Sequence, residues 1–341
     1  MRKHAIIIGA GVAGLATAVA LRRIGWTVAV YERASELANG GTALGMWPEA
    51  MRALDHLGVG GYVRDQAAYS RGARILDPAG SMIGQIPESR CAHLISRGRL
   101  LATLLDQLPA TDIHWAQPLK LADVAHESDV VVGADGIHSV VRARCWSSAA
   151  EHALGTVALR GVVDAEVSSV SETWGRGALF GITPTDDGRT NWFACLRSDR
   201  LGVADAATPR AVQNMFGSWH GGVADVLSRL EGTAIDRREL FDVSLPHPYV
   251  RGNVAVVGDA AHAMAPNLGR GACESLVDAA VLARALEAAP DVAEGLRRYN
   301  RLRRPRTRRI VKTARTLNRI ATAERGTRVR NEMIRLLASS R

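Results

Sequence analysis

Three clusters of glycine and carboxylate, far apart in the chain, hold the residue types with the most chemistry to offer. The first is Gly9-Ala10-Gly11-Val12-Ala13-Gly14, followed by Glu32. Glycine at the first position permits a tight turn, at the second lets a pyrophosphate approach the backbone, and at the third lets a helix lie close to a strand. An acid about 20 residues further on is where a ribose hydroxyl is held. The second cluster is Gly133-Ala134-Asp135-Gly136, running on to His138, Ser139 and Arg142. The third is Gly258-Asp259-Ala260-Ala261-His262 with Pro266-Asn267-Leu268-Gly269-Arg270-Gly271. Glycine-rich backbone at a helix start binds phosphate, and an acid beside it accepts from hydroxyls. One extended nucleotide could touch all three clusters. Asp135 and Asp259 also fit the plainer role of turn acids, and His138 and His262 read as scaffold rather than as catalysts. No catalytic residue and no metal ligand set is assigned.

Each cluster follows an apolar run of the kind a buried parallel strand needs: Ala5 to Ile8, Asp129 to Val132, and Val254 to Val257. A slim alanine-rich helix and the strand Thr27 to Tyr31 complete the first unit. Ligands of open α/β sheets bind at the carboxyl ends of such strands. Between these units the spacing predicts a Gly/Ala-rich loop over Arg33 to Gly45 and a helix from Pro48 to about Leu57. It then predicts short strands from Arg71 to Ile86 around an Asp77-Pro78-Ala79-Gly80 turn, and a helix from Arg99 to Leu108. Strands follow at Val157 to Val163, Ala178 to Thr183 and Asn191 to Leu196, then one helix from Arg210 to Leu230 and another from Ala272 to about Ala288. The fold class expected is α/β: a Rossmann-like dinucleotide-binding domain with a parallel sheet, interleaved with an antiparallel β-sheet domain and C-terminal helices. The expected division is 1–70, 95–150 and 253–300 for the first domain, 71–94 and 151–252 for the second, and 301–341 for basic helices.

The totals narrow the function classes. The 341 residues are 47% hydrophobic, enough for a large core or two modest ones. The net charge of +9 is carried by the tail, since 16 of the 43 Lys and Arg but only two of the 34 acids lie from Arg297 onward. A basic tail can bind nucleic acid or an anionic membrane surface. Here the arginines alternate with Leu302, Ile310, Val311, Leu317, Ile320, Ile334 and Leu336 at helical spacing, so a solvated helical face is expected and no nucleic-acid partner. Cys91, Cys145, Cys195 and Cys273 are scattered, which argues against disulfides or zinc and suits a cytoplasmic protein. No membrane insertion is expected. A signal peptide is a poor reading of the opening, because glycines interrupt the apolar run and Arg22-Arg23 follow.

Taken in order, the motifs GxGxxG at Gly9 to Gly14, GADGxxSxVR at Gly133 to Arg142 and GDAAHxxxPxxGxG at Gly258 to Gly271 carry a resemblance over about the first 300 residues. The chain resembles the single-component flavoprotein aromatic hydroxylases, FAD monooxygenases similar to 4-hydroxybenzoate hydroxylase. The resemblance implies FAD as cofactor, held by Gly9, Gly11, Val12, Ala13 and Gly14, with Glu32 on the adenosine ribose and Arg33 over the adenine side. It implies Arg97 at the pyrophosphate and ribityl region, Asp135 and Gly136 along the phosphate groove, and Gly258 and Asp259 at the ribityl chain. The backbone of Leu268, Gly269 and Arg270 would face the flavin N1 and C2 carbonyl, where negative charge collects on reduction. NADPH or NADH would be a transient reductant, or a separate flavin reductase would serve. Reaction with O2 through a flavin C4a-hydroperoxide would hydroxylate or epoxidise a small aromatic or polycyclic substrate.

Pocket walls are expected from Trp47, Phe180, Trp192 and Pro266, with Arg160, Arg189 and Arg197 as anchors for a carboxylate substrate. The alternatives are a flavin dehydrogenase or oxidase of the same fold, a flavoprotein scaffold, or a nucleic-acid binder acting through the tail. Two departures stand out. The segment between Ile113 and Asp129 is shorter than the family's β-meander over adenine, and Arg270 replaces the glutamine many members carry.

Overall fold

The computed structural model describes residues 2–37, 42–70, 72–87, 91–119, 128–200 and 207–339. Part of the expected 33–45 loop, Arg71, and most of the shortened 114–128 segment lie outside the described residues. The central strand, His4–Ile8, pairs in parallel with Thr27–Tyr31 on one side and Val130–Gly133 on the other. The six-stranded sheet runs Val250–Arg251, Val254–Val256, Val130–Gly133, His4–Ile8, Thr27–Tyr31, Ile113–His114, and only the first pair is antiparallel. Strands covered on both faces must be apolar throughout, and Ala5, Ile7, Val130, Val131, Val132 and Val256 are fully buried. The helix Val12–Arg23 is buried along most of its length between this sheet and the helix Gly271–Glu287, which its small side chains permit.

The helix expected at 99–108 is Arg97–Leu105, begun by Ser96, whose hydroxyl accepts from the Arg99 N–H at 3.4 Å. The single helix expected over 210–230 is two, Pro209–Phe216 and Gly221–Leu227. Helical spacing misleads there because Phe216, Val223, Val226, Leu227 and Leu230 all bury into one cluster from both pieces. Two strands of the large sheet escaped the pattern, as did Ala43–Met46, which takes up the end of the expected 33–45 loop. Val170–Trp174 mixes polar and apolar residues, and Asp236–Val243 is a charge-rich edge strand, as exposed edges tend to be.

With these strands the second sheet has seven, in the order Asp236–Val243, Glu151–Val163, Thr190–Arg197, Ala178–Pro184, Val170–Trp174, Ala73–Leu76, Met82–Ile86. A third, three-stranded sheet joins Ala43–Met46, Ala92–Ser96 and Ala68–Ser70. Phe180 and Trp192 are fully buried and stacked, with ring centroids 5.5 Å apart, in the core beneath the two helices of 209–227. Both lie on the face of the sheet that meets those helices. Side chains alternate along a strand, so Thr183, Asn191 and Phe193 take the opposite face. Truncating Phe180 to alanine is therefore expected to cost about 3–5 kcal/mol in urea unfolding while FAD affinity stays at the wild-type value.

The tail forms the helix Val292–Ala321, which runs unbroken across the expected boundary at residue 300, and the helix Thr327–Ser339. Tyr299, Arg303, Thr307, Val311, Ala314 and Asn318 form the buried side of the long helix, and most of its other arginines face outward. No helix among the described residues is long and apolar enough to cross a membrane.

Candidate active site

The three glycine clusters meet. Gly9 has φ of +105°, and a Cβ there would stand 2.6 Å from the Ala134 carbonyl oxygen. A Cβ on Gly14 would lie 1.8 Å from the Gly9 oxygen, and one on Gly258 would lie 2.6 Å from Cβ of Ala13. First, second and third clusters are thus in direct contact at the carboxyl ends of three adjacent parallel strands. Gly11 and Gly136 differ in kind, because a Cβ on either would meet nothing within 4 Å. Their backbone borders open space, as a phosphate cradle requires.

The charged candidate residues fall into two groups. Glu32, Asp135 and Arg270 are already engaged. Glu32 accepts from the Ala10 N–H at 2.7 Å and the Ala34 N–H at 2.9 Å, which lays its carboxylate against the first glycine loop. Asp135 accepts from the Ser139 hydroxyl at 2.5 Å and from the N–H groups of Val140 at 2.7 Å and Val141 at 3.2 Å. It caps the helix Val140–Cys145 with its side chain, so at this loop the open face belongs to Gly136. Arg270 donates through Nε and Nη2 to Glu274 at 3.1 and 2.7 Å, which settles where the replacement of glutamine sends its charge. Arg33, Arg97 and Asp259 are exposed and have no ion pair among the described residues.

The turn at 266–270 has its own unmet needs. Gly269 is left-handed, with φ of +58°, and its N–H donates to the Pro266 carbonyl at 2.7 Å. Beside it the Trp47 indole nitrogen, 3.7 Å from where a Gly269 Cβ would be, is buried without a hydrogen-bond partner among the described residues. The Asn267 side-chain oxygen is likewise buried and unpartnered. A donor and an acceptor of this kind call for a polar ligand, since leaving each unpaired costs about 1–3 kcal/mol. Pro266 itself is exposed at the start of the turn. Burial pushes the neighbouring Cys273 thiol up to about 11, which keeps it protonated.

A buried ionic chain underlies the third loop, and the sequence reading missed it. Asp278 accepts from the Gly258 N–H at 2.8 Å, His262 Nε2 at 2.6 Å and Arg303 Nε at 2.6 Å. Arg303 continues to Glu274 at 2.6 Å, and Glu274 to Arg270. Burial works to raise the Asp278 pKa, but the charges of His262 and Arg303 outweigh it and hold it at about 2. Two acids four residues apart on the apolar helix Gly271–Glu287 were the available signal. His262 is therefore scaffold, and His138, exposed, pairs with Glu151 at 2.8 Å. The candidate carboxylate anchors are occupied: Arg160 by Asp236, Arg189 by Asp187 and Arg197 by Asp199. At the edge of the parallel sheet Tyr31 stacks on His114 at 4.5 Å, and the chain at Ala116 and Gln117 hydrogen-bonds back to Ala34 and Glu32.

Glycine loops that converge on open backbone at the carboxyl ends of parallel strands have the form of a dinucleotide-cofactor site. The model of the FAD binding domain family matches residues 122–314, and that of the FAD dependent oxidoreductases matches residues 4–166. The chain is 31% identical to the aurachin C monooxygenase/isomerase of Stigmatella aurantiaca, over 98% of this chain and 94% of the relative. It is 32% identical to the 3-amino-4-hydroxybenzoate 2-monooxygenase of Streptomyces cremeus, over 91% and 86%. Its structure matches that of Klebsiella pneumoniae HpxO complexed with FAD and uric acid at a TM-score of 0.87 and 25% identity, covering 99% of this chain and 93% of that one. The chain belongs to the FAD-dependent monooxygenases and is an enzyme of that family. The residues present fit FAD: Gly11 and Gly136 leave room for its phosphates, and Trp47 and Asn267 offer a donor and an acceptor that no protein group among the described residues meets.

Proposed function

We propose that this enzyme hydroxylates or epoxidises a small aromatic or polycyclic substrate with O2 and NADPH or NADH, and that one FAD lies across the three loops. The observation that carries the reading is the pair of buried, unpartnered polar atoms at Trp47 and Asn267, set beside a left-handed glycine at the end of a nucleotide cradle. When bound, FAD supplies hydride acceptance and oxygen activation. The protein's part is to hold, orient and exclude water.

In this reading Gly9 and Gly14 shape the first loop, while Gly11 and the helix start at Val12 and Ala13 receive the pyrophosphate, with Arg33 and Arg97 as counter-charges. Glu32 takes the adenosine ribose, Gly136 borders the phosphate groove, and Asp135 acts through the helix it caps. Gly258 holds the third turn tight against Ala13, and Asp259 accepts from the ribityl hydroxyls. Backbone at Leu268, Gly269 and Arg270 meets the electron-rich ring edge, where the positive end of the helix Gly271–Glu287 favours negative charge. Arg97→Ala is expected to weaken FAD about fivefold to tenfold in a fluorescence titration, the worth of one charge-assisted contact.

The substrate would face Trp47, Pro266 and the Thr183, Asn191 and Phe193 side of the large sheet, where the Asn191 side-chain oxygen is buried without a partner among the described residues. Aromatic rings recur in the named substrates of the relatives, which supports the substrate class. The proposed domain division assigns 1–70, 95–150 and 253–300 to FAD and 71–94 and 151–252 to substrate. Three buried cysteines, and none of the four in a disulfide, suit a reducing cytoplasm. The test is to screen small aromatics for accelerated NAD(P)H loss and to mass the products formed under isotopically labelled O2. Product carrying the label supports the reading, and substrate oxidised without label would make the enzyme a dehydrogenase or oxidase.

A further inference from the structure

The long C-terminal helix leaves one flank open. Leu302, Pro305, Arg306, Arg309 and Ile310 recur at helical spacing and, with Glu49 and Arg270, line a surface groove of about 560 Å³. The same flank continues past Lys312 and Thr313 to Leu317. Charge in the groove is unevenly matched. Arg270 is neutralised by Glu274, and Glu49 lies 3.7 Å from Arg270 and 3.8 Å from Arg306. Arg309 is exposed with no ion pair among the described residues. Leu302, Pro305 and Ile310 supply an apolar wall between the cations, as a ligand with phosphates and flat rings requires.

The groove's inner end fixes its relation to the active site. Glu49 is two residues from Trp47, and Arg270 adjoins Gly269, so its rim abuts the contact between Trp47 and the turn that faces the flavin ring. The chain carries one dinucleotide fingerprint, which FAD takes. A reductant must therefore reach the flavin from a surface site it can leave. A small aromatic substrate needs the opposite, an enclosed and dry pocket. We infer that this groove docks the phosphates of the reduced nicotinamide dinucleotide, with Arg306 and Arg309 as its anion contacts and Glu49 as a carboxylate that competes with it. The inference rests on the FAD reading above and gives the reductant a place on this chain without a separate reductase.

The test uses the FAD-loaded enzyme, mixed anaerobically with increasing NADPH or NADH while flavin absorbance is followed. Arg309→Glu is expected to raise the dinucleotide concentration for half-maximal reduction rate roughly fivefold to tenfold, with FAD content unchanged. Glu49→Gln is expected to lower it, and Arg308→Glu, an equal change of charge at an exposed position outside the groove, to leave it unchanged. The inference is overturned if Arg309→Glu behaves as wild type, if Arg308→Glu has the same effect, or if the flavin is bound but neither dinucleotide reduces it. Failure of the wild-type chain to hold FAD would instead sink the underlying reading, and it would show before any dinucleotide is added.

Discussion

Valine at position 11 is expected to leave a folded protein that no longer holds FAD, whereas valine at position 14 is expected to prevent folding. The two glycines sit three residues apart in one motif, yet their surroundings are opposite. Gly11 has φ of −75°, which any residue adopts, and open space where its side chain would go. A valine there fits the protein and fills the room a pyrophosphate needs, severing charge-assisted contacts to the loop. The expected loss is about 3 kcal/mol or more, roughly a hundredfold in Kd. At Gly14 the added carbon meets the Gly9 carbonyl at 1.8 Å, so the helix must leave the strand. That overpacking costs more than about 3 kcal/mol and breaks the core contact between helix and central strand. Circular dichroism and a thermal melt without added FAD, followed by an FAD titration, separate the two outcomes. Tight FAD binding by Gly11→Val would show that the cradle lies elsewhere.

Asp278→Asn is expected to destabilise the enzyme by about 3–5 kcal/mol, because it removes the carboxylate between two buried partners and leaves Arg303 under-compensated in a dry core. The same residue sets an acid limit. Its pKa in the fold is about 2 against an ordinary 3.8, so the folded state favours the ionised form. A depressed carboxylate contributes stability that is fully present above about pH 4 and lost as pH falls toward 2, a loss of order 2 kcal/mol. Urea unfolding at pH 7, 4 and 3 should therefore show the gap between wild type and Asp278→Asn narrowing in acid. A gap that stays constant would mean that Asp278 is not ionised in the core. Because Asp278 also holds the Gly258 N–H, the variant is expected to bind FAD more weakly wherever it remains folded.

The parts of this enzyme legible in the chain are those where local pattern and ligand chemistry coincide. Ile6, Ile7 and Ile8 running into Gly9, and Val254 to Val256 running into Gly258, declare a strand and its turn within a few residues, and the structure puts both where expected. Distance defeats the same reasoning elsewhere. Which face of the large sheet meets the helices of 209–227 is decided by packing between segments that are not neighbours in the chain, so Phe180 and Trp192 look like pocket aromatics until their burial is known. Arg303 reads as one of many tail arginines because its partners, Glu274 and Asp278, lie on another helix. Asp135 shows a third limit: an acid beside glycine can cap a helix or hold a ligand, and spacing alone does not separate the two.

The central claim is that one FAD is gripped by loops from three distant parts of the chain, and Asp259 tests it most directly. It is exposed, and its side chain makes no hydrogen bond or ion pair among the described residues. Titrating FAD into the apoprotein while following flavin fluorescence should give one site per chain for the wild type, and an affinity about tenfold or more weaker for Asp259→Ala at unchanged melting temperature. A wild-type chain that leaves the flavin signal untouched, or an Asp259→Ala variant that binds as tightly as the wild type, would contradict it.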